Sequence, residues 1–326
     1  MTSLLITVDT ELSSSLHRGG ASVQDNVARS IWAETPDGAF GIGWQMDLLD
    51  RHGLKGVFFL DPMPALIHGR DFLGAIVGAI VSRGHEVQLH IHTEWLEWVD
   101  NSPVGGRRGR NISDFALDDQ ITLLRLARTL LEEAGAPPIL AFRAGNFGAN
   151  DDTLRALATI GILWDSSVNP AYLGRECAIG MAADQIAPAR RFGMAELPVS
   201  GIADRPGGFR PAQICAMSTA EMRAGIRHAV KEAQDAFVIV THSFEMLSRD
   251  RRRPNRAVIA RFERLCREAA RLPALRPAGF ADLPPALADA PGRAFTRAAP
   301  SRLRTGLRQA QQAWATWRYE HRLVPA

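Results

Sequence analysis

"HEVQLHIH" spans residues 85–92 and sets the reading of the whole chain. Its apolar residues alternate with polar ones, as in a β-strand, and its last imidazoles, His90 and His92, stand two positions apart. A strand sends alternate side chains to one face, so both rings point the same way if the strand continues to residue 92. Paired histidines at the end of a buried strand read either as metal ligands or as polar residues on a half-exposed face.

Moving outward, short apolar runs alternate with amphipathic stretches. The spacing predicts strands at 3–8, 55–60, 85–92, 138–143 and 162–167, a further one at 195–200, and a last one at 236–241. Helices are expected over 41–53, 70–84, 117–135, 150–161, 219–234 and 254–272. Strand–helix alternation with continuously apolar strands implies a parallel sheet covered by helices. No glycine-rich phosphate fingerprint follows the first strand, which favours a barrel-like sheet over a dinucleotide fold. A chain of 326 residues with 46% hydrophobic content can fill such a core.

Two stretches break the alternation. Residues 97–116 contain "DNSPVGGRRGRN", a Gly/Arg loop directly after the histidine strand, which covers a site or stays disordered. Residues 284–300 are rich in Pro and Ala and read as a linker. The basic stretch 301–323 then has helical spacing and carries Trp314 and Trp317. Such a helix packs on the body, on a partner subunit or on a membrane surface. The expected division is a body over 1–285 and a linker plus basic amphipathic helix over 286–326.

The formal charge is only +3 and Lys55 and Lys231 are the only lysines, which argues against nucleic-acid binding. Cys177, Cys215 and Cys266 are odd in number and widely spaced, so no disulfide framework is expected and a reducing compartment fits. The N-terminus enters an apolar strand without a basic leader, and "FLGAIVGAIV" (72–81) is too short to span a bilayer. The expected location is cytoplasmic.

In parallel α/β folds reactive groups collect beyond the C-terminal strand ends. Here five strands deliver titratable groups at that end: Asp9 and Glu11, His90 and His92, Arg143, Asp165, and His242. Two carboxylates two residues apart repel unless a cation divides their tasks, one as ligand and the other as general base. One carboxylate and two imidazoles with an open position suit zinc or a similar divalent ion in hydrolysis. Arg143 suits holding a carboxylate by paired hydrogen bonds. His242 suits proton donation to a leaving group. Asp165, followed by two serines, either orients a partner or caps a turn.

The order of these motifs resembles the polysaccharide deacetylase family, or NodB-homology domain, over roughly residues 3–285. "ITVDTE" (6–11) is similar to its first acidic motif in a D-x-E form, "GHEVQLHIHTEW" (84–95) to its second, and "FRAGNFGAN" (142–150) to its arginine motif. "WDSSVNP" (164–170) and "VIVTHSFEM" (238–246) are similar to later segments. The resemblance implies a distorted (β/α) barrel with a C-terminal helical extension. It also implies a divalent-metal deacetylase of N-acetylated sugars. Asp9 and His242 would be its base and acid, Arg143 the residue that orients the base, and Glu11 and His90 metal ligands. The metal would be zinc, with cobalt, nickel or manganese as alternatives.

The chain departs from the family at two places. The commoner second motif has histidines four apart, whereas here position 94 is Glu94 and the second histidine is His92; we expect His92 as the ligand. Glu11 stands where aspartate is usual. His85 is expected to be structural. The substrate expected for a cytoplasmic enzyme is a carbohydrate or a nucleotide- or lipid-linked sugar precursor, whose phosphates Arg107, Arg108 and Arg110 would meet. The rival readings are a non-catalytic carbohydrate-binding barrel and a hydrolase of a non-sugar amide.

Overall fold

A computed structural model of the chain describes residues 1–289 and 295–320. Its main sheet and long helices run β1 (Thr2–Thr10), α1 (Ile42–Arg51), β2 (Gly56–Leu60), α2 (Asp71–Val81), β3 (Glu86–Ile91), α3 (Leu117–Glu133), β4 (Ala141–Ala144), α4 (Asp151–Thr159), β5 (Trp164–Asp165), β6 (Ala189–Arg191), β7 (Met194–Glu196), α5 (Thr219–Lys231), β8 (Ala236–His242), α6 (Arg256–Ala269), β9 (Leu275–Pro277) and α7 (Arg302–Ala315). The strand order is β8-β1-β2-β3-β4-β5-β7-β6. All pairs are parallel except β6 with β7. β9 pairs with Thr2–Leu4 of β1, and β2 takes over that edge from Ile6.

The sheet curls into a distorted (β/α) barrel. Its gap between β5 and β8 is closed by irregular chain: Leu197 N donates to Asp165 O (2.8 Å), Val199 N to Val168 O (2.9 Å) and Ser200 N to Val238 O (3.2 Å). Strand periodicity then sorts the side chains. Leu4, Ile6, Phe58, Leu60, Val87, Leu89 and Phe142 face outward and are buried under the helices. Helix α2 covers this face with Leu73, Ile76, Val77 and Ile80, a single stripe at helical spacing. Leu5, Val57, Phe59, Ala141, Trp164 and Val238 face inward and pack on Phe280 and Leu283, which plug the N-terminal end of the barrel. The plug is pinned by Glu86, whose carboxylate accepts from Phe280 N (2.8 Å) and Ala281 N (3.2 Å) and pairs with Lys55 (3.0 Å).

Helix starts follow their caps. Asn150 closes a capping box on α4 with Thr153, and Ser218 does the same on α5 with Glu221. The strands expected at 138–143, 162–167 and 195–200 are observed at 141–144, 164–165 and 194–196, the chain beyond the last making isolated backbone hydrogen bonds instead of a ladder. The helices Ser14–Arg18 and Val23–Ser30 and the strands β6 and β9 fall in stretches too short or too polar to read as elements.

The loop after β3 is folded. Thr93–Trp98 and Ile112–Asp114 are 3₁₀ turns. The Asp114 carboxylate accepts from Arg110 N and Asn111 N (2.9 Å each), and Thr93 Oγ1 donates to Gly109 O (3.0 Å). The linker expected over 284–300 lies partly outside the described residues, at 290–294, as does the tail beyond 320. Helix α7 docks on α5 through Arg308, whose guanidinium lies 3.2 Å from the buried Glu221 carboxylate. No helix among the described residues is long and apolar enough to cross a membrane.

Candidate functional site

β1 and β3 end side by side across β2, and their inward faces converge at the C-terminal mouth of the barrel. Glu11 Oε2 lies 3.2 Å from His90 Nε2 and 2.5 Å from His92 Nε2. Ligand atoms of these three residues all fall within 4.8 Å of one another. The other ring nitrogen of each histidine is already engaged. His90 Nδ1 donates to Arg143 O at 2.7 Å. His92 Nδ1 faces the Glu94 carboxylate at 3.7 Å, and that carboxylate accepts from Ser14 Oγ (2.5 Å). Both Nε2 atoms therefore face Glu11 while each Nδ1 is turned to another oxygen, the arrangement that orients metal-ligating imidazoles. Two imidazoles and a carboxylate form a donor set that suits a divalent ion, so the residues present fit one. Burial works against the Glu11 charge, yet His92 and His90 overcome it and hold its pKa well below the ordinary carboxylate range.

Gly145 is what lets His92 sit there. A Cβ on Gly145 would lie 2.6 Å from Ile91 O and 2.9 Å from two carbons of the His92 ring. The next two residues, Asn146 and Phe147, have φ of 54° and 56°, a left-handed conformation that non-glycine residues seldom adopt.

Asp9 lies beside the cluster, buried, with Oδ1 accepting from Arg143 Nη1 at 2.7 Å. Arg143 is wholly buried. It also donates to Thr7 Oγ1 (2.7 Å), Ser166 O (3.2 Å) and Ser166 Oγ (3.2 Å), and its guanidinium stacks over Phe59 at 4.4 Å. His242 is paired with Asp9 in the β1–β8 register. Burial opposes its protonation, but Glu245, 3.8 Å from Nδ1, together with Asp9 and Glu11, raises its pKa to about 9. Asp9, Glu11, His90, His92 and His242 line one cavity of about 250 Å³. Its rim carries Arg110, Asn146, Gln213 and Tyr172, the last stacked on Phe147 with ring centroids 5.3 Å apart.

No family model matches the chain, and no curated protein matches its sequence. Solved structures do. A protein from Mycobacterium smegmatis provisionally classed as a polysaccharide deacetylase superposes with a TM-score of 0.55 and 18% identity, over 92% of this chain and 94% of that one. The chain has the polysaccharide deacetylase fold. A family 4 carbohydrate esterase from Streptomyces lividans, solved with acetate, aligns over 92% of this chain and 98% of its own at 12% identity and a TM-score of 0.43.

On this polysaccharide deacetylase fold the sequence-predicted residues divide. Asp9, Glu11, His90, His92, Arg143 and His242 come together; Asp165 does not. Trp164 faces the barrel interior, so its neighbour Asp165 faces the helices, alongside Phe142 and Glu196. There Ser167 donates to it through both Oγ (2.6 Å) and N (3.2 Å). Burial pushes both carboxyls up, Glu196 well above its usual range and further because of the Asp165 charge. Asp165 thus caps a turn instead of orienting a catalytic partner: Ser166, not Asp165, reaches Arg143. Glu94 stands behind His92, not at Glu11. His85 is structural, accepting from Gly56 N (3.1 Å) and facing Asp50 (3.1 Å). Of the loop arginines, Arg107 is paired with Asp119 and only Arg110 lines the pocket.

Asp61 is the residue that the sequence reading missed. It follows β2 in register with Glu11 and His90, since Leu60 pairs with both Thr10 and Leu89. It is 1% exposed; Oδ1 accepts from Met63 N (3.0 Å), whereas Oδ2 is buried without a hydrogen-bond partner. Burial raises its pKa to about 6 against the pull of His92 and His90. The strand-end rule that found the others applies equally to "KGVFFLD" (55–61).

Proposed function

We propose that the protein is a metal-dependent deacetylase that hydrolyses an N-acetyl group on a carbohydrate or sugar-containing precursor. The observation that carries this reading is the convergence of Glu11, His90 and His92 beside Asp9 and His242 in one cavity. A divalent ion, zinc first, held by those three residues would supply Lewis acidity to the acetyl carbonyl and to water. Asp9, fixed by Arg143, takes a proton from the water that attacks the carbonyl carbon. His242, kept protonated by Glu245, gives its proton to the amide nitrogen as the C–N bond breaks. The products are acetate and the free amine. The stacked Phe147 and Tyr172 offer an apolar wall for a sugar ring. Arg110 at the rim favours a precursor that carries an anionic group near the acetamide.

The test is acetate release from a panel of acetylated saccharides and nucleotide sugars, with metal content measured on the same preparation by elemental analysis. Bound metal with acetate release supports the reading. Metal without acetate from any sugar points to a non-sugar amide. Absence of both points to a carbohydrate-binding barrel.

A further inference from the structure

Helix α7 is held on one side and bare on the other. Arg308 and Gln312 face the body, Arg308 on Glu221 and Gln312 toward Cys215 O and Ala216 O (3.5 Å each). The opposite side shows Leu303 (74% exposed), Leu307 (51%) and Trp314 (52%). At 3.6 residues per turn these three fall within an arc of roughly 40°. Trp317, 69% exposed, follows in the next turn. No acidic residue occurs between 302 and 319, while the exposed Arg302 and Arg318 stand at the two ends of the apolar stripe and Arg304 is turned back to Ala299 O (2.7 Å). Large apolar residues scattered singly over a surface need no explanation, but four gathered on one helix face between arginines do.

We infer that α7 is an interfacial helix that lays Leu303, Leu307, Trp314 and Trp317 into the surface of an anionic lipid membrane. The charges select this occupant. Two copies meeting through this face would bring their arginines together, and α7 itself carries no carboxylate to pair them. An anionic leaflet offers phosphates to Arg302 and Arg318 at the depth where indole rings settle. The anchoring ion pair makes the arrangement one-sided: Arg308 is spent on Glu221, so the helix remains attached to the barrel while its outer face engages lipid. The last turn of α7 also borders a cavity of about 610 Å³ shared with Phe244, Glu245 and Arg251.

The experiment is co-sedimentation of the full chain with vesicles of phosphatidylglycerol and phosphatidylcholine, against pure phosphatidylcholine. The wild type is expected to pellet with the anionic vesicles, less so at high salt, and to stay in solution with the neutral ones. Leu307→Glu with Trp314→Glu should lower the affinity by about tenfold or more. Arg302→Gln with Arg318→Gln, which leaves the Arg308 and Gln312 contacts with the body in place, should weaken binding and its salt dependence even if the first variant misfolds. Wild type remaining in the supernatant overturns the inference. So does a concentration-dependent dimer in sedimentation velocity that Leu307→Glu abolishes while vesicle binding is absent.

Discussion

Asp9 and His242 stand opposite one another on adjacent parallel strands, and the chain one residue on ties them further, with Ser243 N donating to Asp9 O at 3.0 Å. A carboxylate fixed by a buried arginine and an imidazole held protonated by a carboxylate thus share one wall of the pocket.

Asp9→Asn keeps the shape of that wall and removes its charge. Acetate release should fall by about 10²–10⁴-fold, with metal content unchanged by elemental analysis. Because Arg143 would then be buried without a counter-charge, chemical denaturation should show a loss of about 3 kcal/mol. Full activity in this variant would reject Asp9 as base.

His90→Ala deletes a nitrogen whose orientation is set by the Arg143 carbonyl. Metal stoichiometry should drop, and chelation of the wild type should stop acetate release until zinc or cobalt is restored. Metal content unaltered in His90→Ala would remove the residue from the centre.

Gly145→Ala tests the close packing behind His92. The added methyl would meet the Ile91 carbonyl and the ring, so the imidazole must swing away from Glu11. Metal affinity is expected to fall by about tenfold, a shift that titration calorimetry resolves. Wild-type affinity would show that the loop yields instead.

The pH profile should carry the signature of His242. Its pKa is raised from 6.5 to about 9, so the protonated ring contributes stability that is complete below 6.5 and disappears as pH rises through about 9. The same proton serves the leaving amine, so activity should decline on the alkaline side. Glu245→Gln removes the carboxylate that sustains the shift and should move that alkaline limb to lower pH. An unmoved limb would assign it to another group.

Asp61→Asn should act in two directions. It removes a buried carboxylate with one unpartnered oxygen, so the metal-free protein should become more stable in a thermal melt. It also removes a negative charge facing His90 and His92, so affinity for a divalent cation should weaken. Loss of stability without loss of affinity would make Asp61 a structural turn residue.

The strand ends were legible because parallel strands buried on both faces form long apolar runs that stop abruptly at polar residues. Thr2–Thr10 and Ala236–His242 are such runs. Inward or outward facing was legible only where a strand was long enough to fix its own parity. The two-residue β5 was not, so the sequence left open whether Asp165 orients a partner or caps a turn. Asp61 escaped because it falls one residue beyond the apolar run 55–60, just before Pro62, yet it still belongs to the barrel mouth. The irregular closure through Leu197–Ser200 has no periodicity to read; its hydrogen bonds come from segments distant in sequence.

Phe280 and Leu283 stop the barrel like a cork, with Glu86 and Lys55 as the clasp. Traffic through the molecule is consequently one-way in geometry: whatever enters the mouth must back out of it. Under the proposed chemistry acetate and amine leave through the doorway by which the next substrate arrives. Lingering product would then compete directly with fresh substrate.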